Sequence, residues 1–477
     1  MAGGRGHRAY STGIRDRGLV TGFIIIIVIN NMLYRQPCAM NHQQINASTN
    51  QRINASTHQR INASTHQQIN HMLDLTYIRS QFPGLNSDWV LFDNAGGSQI
   101  LKPVVDRIDD HFYTSNVQLG GSYPHSVLAN ERHMGSHKLL AEWINADDPR
   151  EIVMGSATSL LIKILADNYR RVWKEGDEII VTNCDHEANI GAWRDLASYG
   201  MVVKEWRLNP ETFELEKEEL LKLITDRTKL VAFTAASNVL GTINPVKEFT
   251  EIAHSHGALV CIDAVAYAPH CLVDVKDTNV DFFVFSFYKT YGPHYAMMYG
   301  KLDLLNELPG INHFFINEPP YKFQPGNYNF ELCYGSGAIP EYFRDLAPKH
   351  GYNGKNDTRS MLEYAYSLIA GHEELLSKTL LGYLNNKPGI KIIGSKEFSR
   401  KIRVPTVSFI KEGSDSEQIT LRTDRDKVAI RWGDFYARRL IDDLELSKMN
   451  GVVRISMVHY NNTDEIQRVI EALEKVL

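Results

Sequence analysis

The sequence predicts an α/β fold organised around a mostly parallel sheet. Between about residues 90 and 300, short apolar segments alternate with segments of helical periodicity. The apolar segments are near-continuous, as expected for strands that are covered on both faces. The predicted strands are 89–92, 152–154, 178–182, 202–206, 230–234, 258–262 and 282–285. The predicted helices between them are 126–146, 159–174, 189–199, 215–225 and 245–256.

The C-terminal part predicts a second, smaller domain of α+β type. A connection rich in Pro, Gly and Asn at 318–329 precedes helices near 340–350 and 357–380, strands near 390–410 and a last helix from Thr463. We therefore expect a large domain over 91–320 and a small domain over 321–477. The segment 72–90 is expected to pack on the small domain.

Residues 1–71 differ in kind from the rest of the chain. The units HQQINAST, NQRINAST and HQRINAST follow one another, a fourth copy begins at His66, and one apolar residue per unit cannot build a core. Before them, a basic stretch leads into an apolar run at 19–29, which is short against the roughly twenty residues of a membrane span. A signal peptide or membrane anchor is one interpretation; a disordered, dispensable or untranslated extension is the one that the composition favours. The segment from Met72 onward is typical of an enzyme N-terminus.

Composition excludes several classes of function. The net charge of −5 provides no basic field for nucleic acid. The five cysteines form no C-x-x-C pair, and no Cys/His group has zinc-site spacing, so we predict no metal site. Scattered cysteines of odd number are typical of buried thiols in a reducing compartment, which predicts a cytoplasmic protein. No apolar span follows Met72, so we expect no membrane association of the folded body.

Three predicted strands are followed by polar side chains where ligands bind in an open α/β sheet. Asp263 follows one strand, Lys289 follows another and precedes Gly292-Pro293, and His186 stands after a third. Taken singly, these are typical of a turn carboxylate, a surface lysine and a structural histidine. Together they are the groups that a pyridinium cofactor needs: an acid for its ring nitrogen, a lysine for its aldehyde and a flat ring to stack on.

Five motifs then carry a family resemblance, from about Leu73 to the C-terminus. They are FDNAGGSQ at 92–99, SNVLGTINPV at 237–246, D-x-x-x-x-x-P-H at 263–270, VDV at 273–275 and S-x-x-K-x-x-G-P at 286–293. In order and spacing they resemble the class V aminotransferases, in the cysteine desulfurase-like branch. The resemblance implies fold type I of the pyridoxal 5'-phosphate (PLP) enzymes, like aspartate aminotransferase, and PLP as cofactor.

The resemblance also implies roles around the cofactor ring. Lys289 is implied as the Schiff-base lysine, Asp263 as the partner of the ring nitrogen and His186 as the stacking residue. Asn238 is implied to face the phenolic oxygen. Where desulfurases have Gln, this chain has Ala266, and Tyr267 and Asn238 are the candidates to replace that contact.

For the phosphate group, the turn at 155–159 offers small residues before a helix, including Ala157 and Thr158. Ser286 and Tyr288 resemble the family's phosphate contacts, although relatives usually carry His just before the lysine. The segment KFQPGN at 322–327 resembles a loop that reaches the phosphate of a partner subunit. It implies a homodimer with shared active sites, with Asn327 as a cofactor-binding residue.

A departure from the family concerns the reaction. VAIRWGDFYARRL at 428–440 resembles the desulfurase stretch that carries the persulfide-forming Cys, but Tyr436 stands at that position. A phenol cannot accept sulfur from a substrate thiol, because that step needs a thiolate. We therefore expect a family member that lacks the catalytic Cys.

Two arginines are candidates to bind a substrate carboxylate, for which a guanidinium fork is suited. Arg454 matches the family's carboxylate-binding arginine, and Arg431 is the second candidate. These residues predict a PLP enzyme, a transferase or lyase, that acts on a small amino acid by transamination, elimination or racemisation. The alternatives are a cysteine desulfurase or selenocysteine lyase, and a non-catalytic PLP-binding protein.

Overall fold

A computed structural model describes residues 73–477; the predicted extension at 1–71 lies outside the described residues. The strands, in chain order, are β1 (Val90–Leu91), β2 (Ile152–Gly155), β3 (Glu178–Thr182), β4 (Val202–Trp206), β5 (Thr228–Thr234), β6 (Leu259–Asp263), β7 (Phe282–Ser286), β8 (Ala296–Gly300), β9 (Ile390–Ile393), β10 (Thr406–Lys411), β11 (Val428–Ala429), β12 (Arg431–Gly433) and β13 (Val452–Ser456).

Seven strands form the central sheet, in the order β2-β8-β7-β6-β5-β3-β4. β8 runs antiparallel to both of its neighbours, and the remaining neighbouring pairs are parallel. The predicted α/β fold with a mostly parallel sheet is therefore confirmed. Two details of the prediction were wrong: β8 was not predicted, and the first predicted strand pairs with β11 in a separate two-stranded ribbon.

The central strands are apolar on both faces because both faces are covered. Along β5, Val231 and Phe233 belong to one hydrophobic cluster, while Leu230 and Ala232 belong to another. Successive side chains of a strand point to opposite faces, so the two clusters lie on opposite sides of the sheet. This explains why the strands show continuous rather than alternating hydrophobicity.

The helices cover the sheets. In chain order they are α1 (Leu75–Ser80), α2 (Lys102–Thr114), α3 (Pro124–Ile144), α4 (Thr158–Arg170), α5 (Ala188–Arg194), α6 (Lys217–Leu223), α7 (Val246–Ser255), α8 (Val275–Thr278), α9 (Leu302–Glu307), α10 (Phe330–Ser336), α11 (Ala338–Lys349), α12 (Thr358–Leu384), α13 (Ser416–Thr423), α14 (Arg438–Asp443) and α15 (Thr463–Glu474). Local caps mark several starts: at α15, Asn462 and Glu465 form a capping box. Among residues 73–477, no helix has the length and apolar character needed to cross a membrane.

A second sheet is built from the C-terminal part. Its four strands are antiparallel, in the order β12-β13-β10-β9, and share a separate apolar cluster with α12 and α15. The N-terminal segment contacts this part: Val90 joins that cluster, and Arg79 forms an ion pair with Glu465 at 2.9 Å. The domain boundary at 320/321 remains a proposal. Helices after it also reach the first part, as in the hydrogen bond of 3.1 Å from Trp143 to Tyr366.

Candidate active site

Lys289 lies at the end of a short 3₁₀ turn, Phe287–Lys289, that directly follows β7. The side chain is buried, and burial together with the charge of Arg454 lowers the pKa of its amine to about 8. An ordinary lysine is protonated at this pH. The fold therefore gives Lys289 a sizeable neutral fraction near pH 8, and the neutral amine is the nucleophilic form.

Asp263 is the last residue of β6, where it pairs in register with Thr234 of β5 and Val284 of β7. Its carboxyl is buried, and burial raises its pKa. In the described chain its carboxylate accepts one hydrogen bond, from the backbone N–H of Val265 at 2.9 Å. A buried carboxylate with so few donors is costly unless a cationic group approaches it.

His186 follows β3 and begins the turn into α5. Its Nδ1 accepts a hydrogen bond from the backbone N–H of Ala188 at 3.1 Å. Burial, with a contribution from Lys289, lowers the pKa of the imidazole to about 4. The ring is therefore neutral at physiological pH, with its proton on Nε2.

The turn between β2 and α4 is suited to an anion. Ala157 is the N-cap of the thirteen-residue helix α4 and has no side chain that can cap the first backbone N–H groups. The Thr158 hydroxyl lies 2.6 Å from the Ser286 hydroxyl, which joins the turn to the end of β7. Three of the predicted phosphate-binding residues, Ala157, Thr158 and Ser286, thus meet at a helix N-terminus, where an anion is favoured.

These residues line one cavity with an empty volume of about 500 Å³. The predicted site residues in its wall are Ala157, Thr158, His186, Asn238, Asp263, Ser286, Tyr288 and Lys289. Ala266 is also in the wall.

Besides Arg454, three of the sequence candidates do not line this cavity. Tyr267 lines a different surface cavity, so of the two candidates to replace the missing Gln contact, Asn238 is the one at the site. The Asn238 amide donates to the carbonyl oxygen of Phe435 at 2.9 Å. Asn327 exchanges hydrogen bonds with Gln118 at the protein surface and does not line the Lys289 cavity, and its role toward a partner subunit remains a proposal. The third is Arg431.

Arg454 and Arg431 are neighbours on β13 and β12 and share one carboxylate. Arg454 Nη2 lies 2.8 Å from Asp93 Oδ1, and Arg431 Nη1 lies 3.2 Å from Asp93 Oδ2. Arg454 is fully buried, with its guanidinium carbon 3.7 Å from the centre of the Phe435 ring. Its Nε has no hydrogen-bond partner within the described chain. Sequence reasoning missed Asp93, although it lies in the quoted motif FDNAGGSQ.

The loop that contains Tyr436 docks on the site. Phe435 and Tyr436 adopt left-handed backbone conformations, with φ of 51° and 61°. The Tyr436 carbonyl oxygen accepts from the backbone N–H of Glu187 at 2.7 Å, and its ring centre lies 5.2 Å from that of His186. The side chain is 69% exposed. Tyr436 thus stands beside His186, with its ring open to solvent.

The cysteines of the described chain do not line the cavity. Cys184, Cys261 and Cys333 are buried and Cys271 is half-buried, and all four are free thiols. Burial raises the pKa of each thiol, which keeps it protonated and unreactive at neutral pH.

Comparison with known proteins places this geometry in a family. The model of the aminotransferase class-V family matches residues 90–469. The aminotransferase-like protein FGM3 of Gibberella zeae is 37% identical, over 84% of this chain and 98% of that protein. A probable cysteine desulfurase of Halalkalibacterium halodurans is 30% identical, over 83% of this chain and 97% of its own length. The apo structure of cysteine desulfurase from Thermococcus onnurineus superposes with a TM-score of 0.75 at 25% identity, covering 85% and 98% of the two chains.

The fold is therefore fold type I of the PLP-dependent enzymes. The chain belongs to the aminotransferase class-V family, as the sequence motifs predicted. The family is enzymatic and includes cysteine desulfurase-like relatives.

Proposed function

We propose that this chain is a PLP-dependent enzyme that acts on a small amino acid, with Lys289 as the residue that carries the cofactor. The observation that carries the proposal is the pairing of Lys289 and Asp263 in one cavity. One is an amine whose pKa is lowered to about 8, and the other is a buried carboxyl with one hydrogen-bond donor.

The residues present fit this cofactor. Among residues 73–477 no cationic side chain forms an ion pair with Asp263, which leaves it free for a protonated ring nitrogen, and the uncapped start of α4 offers N–H groups for a phosphate. When bound, PLP supplies an aldehyde that bonds covalently to amines and a ring that withdraws electrons from the substrate.

The protein's own groups have distinct tasks in this proposal. With the cofactor bound, Asp263 would accept a hydrogen bond from the ring nitrogen and hold its proton there. His186 contributes a neutral, flat ring to the cavity wall, and Asn238 would present its amide to the phenolic oxygen. The Lys289 amine, with its lowered pKa, can take up and release the proton of the substrate α-carbon near pH 8.

On the substrate side, Arg454 is the proposed partner of the carboxylate. Its guanidinium is already oriented by Asp93 and by the carbonyl oxygen of Asn238 at 3.1 Å, while Nε is unpartnered in the described chain. A buried, pre-oriented guanidinium is suited to bind a carboxylate that enters the site. Arg431, whose side chain is 46% exposed, is the proposed outer contact.

Cysteine desulfurase chemistry is the second candidate because relatives carry that name. It requires a thiolate beside the cofactor, and the wall of the Lys289 cavity contains no cysteine among the described residues. Tyr436 stands beside His186 instead. Transfer, elimination or racemisation therefore agrees better with the site, as does elimination from selenocysteine without an enzyme persulfide.

The test is an absorbance screen of the PLP-loaded full chain against the common amino acids. A small amino acid is expected to shift the cofactor band, and the Arg454→Gln variant is expected to lose the shift at the same concentration. Product analysis then separates the reactions: a keto acid with transfer of the amino group, a keto acid with ammonia, or the opposite enantiomer. Absence of a shift and of turnover with every amino acid would favour a non-catalytic PLP-binding protein.

The homodimer with shared sites and the cytoplasmic location are part of the same proposal. The free thiols of the described chain agree with a reducing compartment. Sedimentation of wild-type protein and of the Asn327→Ala variant, each with its PLP content measured, tests whether a second subunit completes the phosphate site.

A further inference from the structure

A second group of buried titratable side chains lies outside the Lys289 cavity. His133 and His137 occupy successive turns of α3, and Cys333 lies on α10. All three are buried, and their nitrogen and sulfur atoms lie within 4.8 Å of one another. We call this group the His-His-Cys cluster. The sequence does not reveal it, because Cys333 is 200 residues from His133.

The distances within the cluster are close to those of a tetrahedral metal site. Cys333 Sγ lies 3.7 Å from His133 Nδ1. The hydroxyl of Tyr328 adds a fourth atom, 3.1 Å from His133 Nδ1 and 3.2 Å from His137 Nε2. Zinc bonds of about 2.0–2.1 Å to nitrogen and about 2.3 Å to sulfur give tetrahedral edges of roughly 3.3–3.6 Å. The widest separation, 4.8 Å, needs a contraction of roughly 1.2–1.5 Å to reach these edges, which rotations of the imidazole side chains can supply.

The orientation of His137 also suits a metal. His137 Nδ1 lies 3.4 Å from the carbonyl oxygen of Pro149, which favours the proton on Nδ1 and leaves Nε2 bare. Such a backbone contact is the usual means of orienting a ligating histidine.

We propose that the His-His-Cys cluster is a zinc site, with Tyr328 as the fourth ligand. Two imidazoles and one thiol favour zinc over magnesium or calcium, which prefer oxygen ligands. On binding, the Cys333 thiol and the Tyr328 phenol each lose a proton to solvent, and the resulting thiolate and phenolate bond to the metal. A surface cavity lined by Tyr321, Tyr328 and Phe330 adjoins the cluster and provides an entry path.

The proposed site joins α3, α10 and the segment before α10, and it is separate from the chemistry at Lys289. Its role is structural, because all ligand positions are filled by protein and none is left for a substrate. A negative result for zinc would therefore leave the proposed function untouched, and failure of the proposed function would leave the zinc proposal untouched.

The test is the zinc content of the PLP-loaded full chain. The protein is treated with a chelator, equilibrated with Zn²⁺, freed of unbound metal and measured by elemental mass spectrometry. Wild-type protein is expected to hold about one zinc per chain, and His137→Gln and Cys333→Ala are expected to lose it by about tenfold or more. The matched controls are His111→Gln and Cys261→Ala, which remove another buried histidine and another buried cysteine.

A second measurement does not depend on how the variants fold. In wild-type protein, Zn²⁺ is expected to raise the thermal unfolding midpoint above that of the chelated protein, because a ligand that binds the folded state stabilises it. The Lys289→Ala variant is expected to keep its zinc even though it loses cofactor chemistry. Wild-type zinc at the background level, or equal loss in the control variants, would show that the cluster is a hydrogen-bonded group without a metal.

Discussion

The two sides of the candidate site differ in how many of their charged groups are paired within the protein. On the side assigned to the cofactor, Asp263 and Lys289 face a cavity with few protein partners. On the side assigned to the substrate, Arg454 and Arg431 already share Asp93, and the ring of Tyr436 is open to solvent. The first side is left to be completed by a ligand, whereas the second is largely satisfied within the protein.

The comparison separates features of the site that follow the family motifs from features that are particular to this chain. On the cofactor side, Asp263 and Lys289 have few protein partners and are arranged for one ligand. Both residues lie in the motifs that resemble the family. In our proposal the substrate side departs from the family at Tyr436, and we expect this side to determine the reaction. Variants on the two sides should therefore fail in different ways.

The largest effect on turnover is expected from Asp263→Ala. Loss of a preorganised charge at the reacting centre costs about 10²–10³-fold in kcat. PLP content should stay near normal, because the helix N-terminus at α4 holds the phosphate independently. Turnover and bound PLP are measured in parallel, with Asp277→Ala, an exposed carboxylate paired with Lys247, as the control. Near-normal turnover would remove Asp263 from the mechanism.

A smaller effect, on substrate binding, is expected from Arg454→Gln. Removing a charged hydrogen bond of about 1.5–3 kcal/mol lowers kcat/KM by about 10- to 150-fold. Arg431→Gln, at an exposed pair, is expected to change kcat/KM by less than about fivefold. The kcat/KM values of both variants are compared by steady-state kinetics. Their thermal unfolding midpoints control for folding. A larger loss in Arg431→Gln would exchange the two roles.

The rate of cofactor uptake should depend on pH through Lys289. Its amine has a pKa lowered to about 8, so the neutral form is nearly complete above pH 9 and falls about tenfold per unit well below pH 8. Uptake of PLP by cofactor-free protein, followed by absorbance, should rise up to about pH 8 and then level off. Because Arg454 helps to lower this pKa, Arg454→Gln should move the midpoint to higher pH. A midpoint near 10.5 would contradict the burial of the amine.

The smallest effect concerns sulfur. The chain should not release sulfide from cysteine through an enzyme persulfide at the rate of a desulfurase. The Tyr436→Phe variant should keep turnover of the enzyme's own substrate within about threefold, because the exposed phenol does not carry sulfur. Alkylation after incubation with cysteine, followed by mass spectrometry, locates any persulfide. A persulfide formed on Cys333 or Cys184 at catalytic rate would promote the desulfurase interpretation. Pyruvate or alanine without a persulfide would support elimination or transfer.

The cofactor side could be predicted from sequence because its signals are local. Asp263 and Lys289 each stand just after a continuous apolar strand, where a polar residue is visible in the sequence. The link of Asp93 to Arg454 and the His-His-Cys cluster depend on packing between distant segments, which no local pattern encodes. The strand β8 was missed because it runs antiparallel within a sheet whose pattern suggested parallel crossovers.

The division of the site into a cofactor side and a substrate side depends on which lysine bonds the cofactor. Reduction of PLP-loaded protein with borohydride fixes the cofactor on its lysine, and peptide mass spectrometry then identifies that residue. We expect the label on Lys289, and no reducible bond in the Lys289→Ala variant. A label on another lysine, or a reducible cofactor bond that survives in Lys289→Ala, would contradict the assignment.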